Sequence, residues 1–233
     1  GFGTYARSRI VEKIASRSEA AGVTVMVPNS LGPGELLHKY GTQTQKDKYL
    51  EGLADGTYVP CFALTEQNAG SDATSIQAEG IVEKRVGENG EEEIGIRLNF
   101  DKRYITLAPV SNLIGLAFQL RDPDNLLGKG ENVGITCALM EKGIEGLELD
   151  KRYNPMNVPF MNGGPVGKDV WITSDQIIGG TEQAGHGWKM LVECLSEGRA
   201  NSLPTLGIAA AKKMAKVAGS YITVRQQFGA SLS

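Results

Sequence analysis

Histidine and cysteine are scarce in this chain, with 2 His and 3 Cys among 233 residues and no Cys-x-x-Cys pair. A transition-metal centre or a histidine-based catalytic triad draws on more of these residues than that, so neither is expected, and His38 and His186 read as helix-surface residues. Cationic excess is also missing: 24 Lys and Arg stand against 27 Asp and Glu, for a formal charge of −3, which excludes a protein that coats nucleic acid. No apolar run approaches the roughly 20 residues that cross a bilayer; the longest, around residues 113–118, is interrupted by Gly115. Internal repeats, low-complexity tracts and Asn-x-Ser/Thr sequons are absent. Cys61, Cys137 and Cys194 are odd in number, widely spaced and set in apolar neighbourhoods, which points to a reducing compartment. What remains, with 41% apolar and 22% charged residues, is an ordinary globular enzyme or binding domain.

Three zones follow along the chain. Residues 1–59 read as helical. Ala6, Ile10, Val11, Ile14 and Ala15 recur at helical spacing until Gly22, which is expected to break the run. A second helix is expected over 34–39. A third should start at Thr42, whose hydroxyl caps the first turn while Gln45 reaches back, and should end near Gly56. From residue 60 to about 184 the pattern changes to short apolar or alternating runs at 61–65, 81–86, 92–98, 103–107, 113–120, 135–140 and 169–173, with a hairpin loop at Gly87-Glu88-Asn89-Gly90. Such spacing without intervening helices predicts an antiparallel sandwich or small barrel. Over 185–233 the helical period returns, with Met190, Leu191, Cys194 and Leu195 on one stripe, followed by a long helix expected over 206–227 with Pro204 in its first turn. The chain begins without an initiator Met and stops abruptly at Ser231-Leu232-Ser233, so we read it as an internal piece of a longer protein.

Two nucleotide motifs fail on spacing. Gly128-Lys129-Gly130 is followed by Gly134, one residue late for G-x-G-x-x-G, and Gly167-Lys168 has Asn162 and Asp169 where a P-loop needs Gly and Ser or Thr. The informative stretch runs from Cys61 to Asp72: an apolar strand leads directly into Thr65, Gly70 and Ser71, small and hydroxyl-bearing residues at the strand's end. Such a loop presents backbone N–H groups and hydroxyls to a ligand, with Gly70 allowing close approach; the same residues would also suit an ordinary Asx turn.

Phe62-Ala63-Leu64-Thr65-Glu66, followed by Ala69-Gly70-Ser71-Asp72, resembles the signature of the acyl-CoA dehydrogenases. Further segments fall in that family's order: Asn29-Ser30-Leu31-Gly32, Tyr40-Gly41-Thr42, Leu98 to Thr106, Gly185-His186-Gly187-Trp188, Gly198-Arg199 and Arg225-Gln226-Gln227-Phe228-Gly229. The wording is similar to the bacterial long-chain branch called FadE. The resemblance implies an α+β multidomain fold: a helical N-terminal domain (1–59), a middle antiparallel β barrel or sandwich binding FAD and acyl-CoA (60–184), and the start of a C-terminal helical bundle (185–233). It implies FAD-dependent α,β-dehydrogenation of fatty acyl-CoA thioesters, the first step of β-oxidation, with electrons passed to an electron-transferring flavoprotein. It also implies a homodimer or larger homo-oligomer.

By the same resemblance, Phe62, Ala63, Leu64, Thr65, Gly70 and Ser71 contact FAD, with Thr65 at its pyrimidine edge and Ser71 also on the pantetheine arm of the substrate. Tyr104, Ile105 and Thr106 wall the flavin, with Thr106 near the hydride-accepting atom and Tyr104 standing where many members carry Trp. Arg225, Gln227 and Phe228 are expected on a helix that reaches the FAD of a neighbouring protomer, and Arg199 beside the thioester. Glu66 is expected to order the flavin loop. The catalytic glutamate is expected beyond Ser233, so this piece alone should be inactive. The cytoplasm of a bacterium, or the periphery of its inner membrane, is the expected location. Two alternatives stay open: an acyl-CoA oxidase using O2, and a non-catalytic acyl-CoA-binding scaffold.

Overall fold

The computed structural model describes residues 2–87, 90–149 and 151–232, apart from the side chains of Asn29, Ser30 and Glu197. Four helices come first: α1 (Thr4–Ala15), α2 (Glu19–Met26), α3 (Pro33–Tyr40) and α4 (Gln43–Asp55). Gly22 does not break the helical run. It lies buried inside α2, where an added Cβ would sit 2.8 Å from the Cβ of Ala15, so the glycine serves the close crossing of α1 and α2. The capping expected at Thr42 is present in full. Its hydroxyl accepts from the Gln45 N–H at 3.2 Å, the Gln45 side-chain carbonyl accepts from the Thr42 N–H at 3.1 Å, and α4 ends at Gly56 with φ 86°. Gln45 does more than cap: its amide donates to the carbonyls of Asp175 and Ile177, both at 2.7 Å, and so ties α4 to the strands beyond.

The middle of the chain forms one curled seven-stranded sheet from β1 (Pro60–Ala63), β2 (Glu79–Val86), β3 (Glu92–Asp101), β5 (Leu113–Arg121), β6 (Asn132–Glu141), β7 (Leu147–Glu148) and β9 (Val166–Thr173). A separate short ladder pairs β4 (Ile105–Thr106) with β8 (Asn162–Gly163). The sheet order is β1-β5-β2-β3-β9-β7, with β6 on the other side of β5. β2 and β3 form the expected hairpin, of which the tip residues Glu88 and Asn89 lie outside the described residues.

The expectation of purely antiparallel pairing is corrected at β5. β1 runs parallel to its first half, from Pro60↔Leu113 to Ala63↔Leu116, and β2 runs parallel to its end, from Glu79↔Gln119 to Ile81↔Arg121. β1 and β2 thus lie end to end along one edge of β5, and residues 64–78 are an excursion out of that line. β5 is buried on both faces, which is why its sequence reads as an unbroken apolar run. Ile114, Leu116 and Phe118 enter the core within the curled sheet, whereas Leu113 and Ala117 pack against Leu36, Leu37, Met190 and Leu191 of the helices.

After the sheet come α5 (Gly187–Glu197) and α6 (Leu203–Val224), with Pro204 in the first turn of α6 as expected. Met190, Leu191, Cys194 and Leu195 bury the predicted stripe of α5. α6 lies against α1, with a Lys212–Glu12 ion pair at 2.5 Å, but residues 211–232 are exposed throughout. The long helix stops at Val224, not at Gln227. β10 (Gln226–Gln227) and β11 (Ala230–Ser231) form a hairpin whose two turn residues, Phe228 and Gly229, take φ 53° and 77°, the positive values that a tight two-residue turn demands.

Candidate functional site

The excursion at residues 64–78 is held to the rest of the sheet by a buried ion pair. Glu66 bridges Lys102 in antiparallel fashion, and the Arg103 N–H donates to the Thr65 carbonyl at 2.9 Å. Lys102 is 0% exposed; its ammonium donates to Glu66 Oε1 at 2.7 Å and to the Leu64 carbonyl at 3.0 Å. The Glu66 carboxylate also accepts the N–H groups of Gln77 at 2.6 Å and Ala78 at 3.0 Å. One carboxylate therefore fastens the end of β1, the start of β2 and the residue after β3. Burial pushes the Glu66 carboxyl up, but Lys102 and the two N–H donors outweigh it and hold the group below the usual carboxylate range. Burial pulls Lys102 below its ordinary value against the opposing pull of Glu66.

The loop itself is ordered by Asp72, whose carboxylate accepts the hydroxyls of Ser75 and Thr74 and is held below its usual range by them. The N–H groups of Gln67, Asn68, Gly70 and Ser71 have no carbonyl partner among the described residues, and all four residues are exposed. Gly70 is in ordinary backbone, and a Cβ added to it would meet nothing within 4 Å. Neither conformation nor packing within the chain calls for glycine there.

Across the bridge, Tyr104 and Leu107 adopt φ 58° and 68° and bracket the dipeptide Ile105-Thr106. Left-handed backbone at bulky residues is costly, and two such positions flanking two residues fix how Thr106 is presented. Ile105 is buried in the core, and Thr106 is half-buried, opposite Asn162 of β8. The hydroxyls of Thr65, Ser71 and Thr106 make no hydrogen bond among the described residues. Tyr104 is half-exposed, its ring 5.0 Å from that of Tyr153, with the Arg103 guanidinium 4.8 Å from the Tyr104 ring centre.

The structure brings Thr65, Glu66, Tyr104, Ile105 and Thr106 together, and Gly70 and Ser71 follow on the same loop. The side chains of Phe62, Ala63 and Leu64 are taken up in packing. Phe62 fills the space over Gly115, Ala63 lies in the sheet core, and Leu64 packs toward the helices. Arg199 is exposed in the wide π-helical turn Gly198–Ser202 and has no ionic partner among the described residues. Arg225, Gln227 and Phe228 lie exposed on the terminal hairpin and not on a helix, which corrects the helical expectation for them. His38 and His186 are both at the surface. The three cysteines are buried free thiols; burial pushes Cys61 and Cys137 up to about 12 and Cys194 up to about 11, so none is a nucleophile at neutral pH.

Lys102 lies in the Leu98 to Thr106 segment, but the resemblance gives it no role; the structure makes it the clamp of the excursion. The signal was present: Ile96, Leu98 and Phe100 alternate inward along β3, and two residues further the same stripe reaches a lysine.

Against known families, the acyl-CoA dehydrogenase N-terminal domain matches residues 1–57 and the acyl-CoA dehydrogenase middle domain matches residues 61–168. This chain belongs to the acyl-CoA dehydrogenase family. Among curated proteins, it is 52% identical over 104 residues to Protein HemX of Proteus mirabilis, covering 45% of this chain and 61% of that protein. It is 30% identical over 224 residues to the human mitochondrial very long-chain specific acyl-CoA dehydrogenase, covering 95% of the chain and 32% of that protein. The solved butyryl-CoA dehydrogenase of Megasphaera elsdenii matches at 25% identity with a TM-score of 0.78, over 95% of this chain and 53% of that one. The chain thus spans between about a third and three fifths of the length of these proteins.

Proposed function

We propose that the excursion at 64–78 and the β4 segment bind FAD, and that the protein carrying this chain dehydrogenates fatty acyl-CoA thioesters between the α and β carbons. One observation carries the reading: the unpartnered hydroxyls of Thr65 and Thr106 lie on two segments clamped together by the Glu66–Lys102 pair. The groups present fit FAD. Four free N–H donors at Gln67, Asn68, Gly70 and Ser71 suit a pyrophosphate, and the open space at Gly70 is where a side chain would obstruct it. Bound FAD supplies the hydride acceptor, which no side chain can be.

The Thr65 hydroxyl would donate where negative charge gathers, as donors do in an oxyanion hole, and Thr106 would stand beside the hydride-accepting atom, next to that same polar edge. Tyr104 walls the site with its ring, which Tyr153 and Arg103 hold in place. Ser71 also contacts the pantetheine arm, and Arg199 the thioester. Arg225, Gln227 and Phe228 project from the end of α6 toward the cofactor of a second protomer, and the exposed Met214, Val217, Tyr221 and Val224 support an oligomer built on that helix. No described carboxylate is proposed as the general base. Glu66 is committed to Lys102, and Glu193 is held by Lys39 and Tyr40. Residues 1–59, 60–184 and 185–233 serve as the N-terminal, middle and C-terminal parts of a FadE-like enzyme. We place it in the bacterial cytoplasm or at the inner membrane's surface; among the described residues no helix is long and apolar enough to cross a membrane.

Palmitoyl-CoA turnover by the full-length protein, followed with an electron-transferring flavoprotein and separately by oxygen uptake, tests the reading. Reduction of the flavoprotein without peroxide release is the expected result. Peroxide release would make the enzyme an oxidase, and a colourless, inactive protein would leave only a shared fold.

A further inference from the structure

Asn162 is 3% exposed, and its side-chain carbonyl is buried with no hydrogen-bond partner. Its amide NH2 has no partner among the described residues either. A buried polar group left unpaired costs about 1–3 kcal/mol, so an asparagine kept in this condition calls for a reason. The main chain around it is fully committed. β8 pairs with β4 on one side, Gly163 bridges Arg152 on the other, and the Tyr153 N–H donates to the Asn162 carbonyl at 2.8 Å. The next residue cannot take over its place, because a Cβ on Gly163 would lie 2.4 Å from the Lys151 carbonyl oxygen and 2.9 Å from Pro109.

Asn162 is directly opposite Thr106 in the ladder. Directly paired residues of antiparallel strands put their side chains on the same face, about 5 Å apart at Cβ. Two unpartnered polar side chains, one of them nearly inaccessible, therefore stand side by side at the strand that the flavin reading places against the cofactor. We propose that Asn162 is a further cofactor-binding residue, whose side-chain NH2 donates, beside the Thr106 hydroxyl, to the polar edge of a planar redox heterocycle. The NH2, which unlike the side-chain carbonyl is not closed off by the chain, gives the carbonyls of such an edge a second donor beside the hydroxyl. The inference rests on the flavin reading and adds a residue to it.

The test compares wild type, Asn162→Leu and Asn162→Asp as full-length protein, stripped of flavin and titrated back with FAD. Leucine fills a similar volume without the orphaned amide. The Asn162→Leu apoprotein should melt no lower than wild type, while its dissociation constant for FAD rises about tenfold. Asn162→Asp places a carboxylate beside a ring that gains negative charge on reduction, so its flavin midpoint potential should fall, by about 30 mV for each tenfold loss of preference for the reduced form. An Asn162→Leu protein that melts lower but binds FAD as tightly as wild type would overturn the proposal, as would an unchanged potential in Asn162→Asp. If wild type itself takes up no FAD, the flavin reading fails first; if wild type binds and both variants match it, only the role of Asn162 fails.

Discussion

Glu66→Gln is expected to lower folding stability by about 3–5 kcal/mol, because the substitution leaves the Lys102 ammonium buried without a counter-charge, facing only neutral carbonyls, that of Leu64 and that of the introduced glutamine. For a chain of this size that corresponds to a fall of roughly 6–20 °C in the thermal midpoint. Replacing both partners, as in Glu66→Leu with Lys102→Met, should recover part of the loss, since the cost lies in the uncompensated charge more than in the missing pair. The pH dependence carries the same signature. The lowered Glu66 carboxyl contributes stability that is fully present above its unfolded value of about 4.3 and is lost as pH falls through the lower folded value. In Glu66→Gln that acid component should vanish. The alkaline component should grow: Lys102 already sits below its ordinary value, and without the Glu66 charge the folded chain holds its proton still less tightly, so stability should rise more steeply than in wild type as pH climbs toward the unfolded lysine value of about 10.4. Denaturant melts across this range check both slopes. A loss under about 1 kcal/mol would mean that the pair does not fasten the excursion to the sheet.

Gly70→Val is expected to separate binding from folding. Its backbone lies outside the left-handed region and a Cβ there meets no atom within 4 Å, so the apoprotein should unfold within about 0.5 kcal/mol of wild type. Affinity for FAD should fall by about tenfold or more, equivalent to 1.4 kcal/mol or more, because the added methyl groups enter the space that the cofactor's diphosphate would cross. Melting curves of the stripped protein and FAD titration of the same samples give the two readouts. A valine variant that binds FAD as wild type does would show that Gly70 borders no ligand.

The features legible in the sequence are those set within a few residues. The capping box at Thr42 and Gln45, the left-handed stop at Gly56 and the buried stripe of α5 all follow from local spacing, and the structure has each of them. What escaped depends on partners far along the chain. Nothing local in residues 60–63 or 79–86 says that both strands run parallel to β5, because that choice is made when residues 64–78 leave the line and return to it. Gly22 was misread for a related reason: its small size answers to Ala15 across a helix crossing, not to its own turn. At the C-terminal end the helical pattern persisted into Gln226 and Gln227, but the Phe228-Gly229 turn overrode it. For the site, Thr65, Ser71 and Thr106 came from motif resemblance. Lys102 was visible as a charge on an inward stripe, whereas Asn162 sits in an Asn-Gly-Gly-Pro stretch that reads as loop until its pairing with Thr106 is known.

The most direct measurement is an equilibrium titration of flavin-free protein with FAD, comparing wild type with the double variant Thr65→Val, Thr106→Val. Each hydroxyl contributes about 0.5–1.5 kcal/mol if it bonds the cofactor, so saturable binding by wild type and roughly 5- to 150-fold weaker binding by the double variant are predicted. Equal affinity in the two proteins would contradict the assignment of the clamped threonines as the flavin-binding edge.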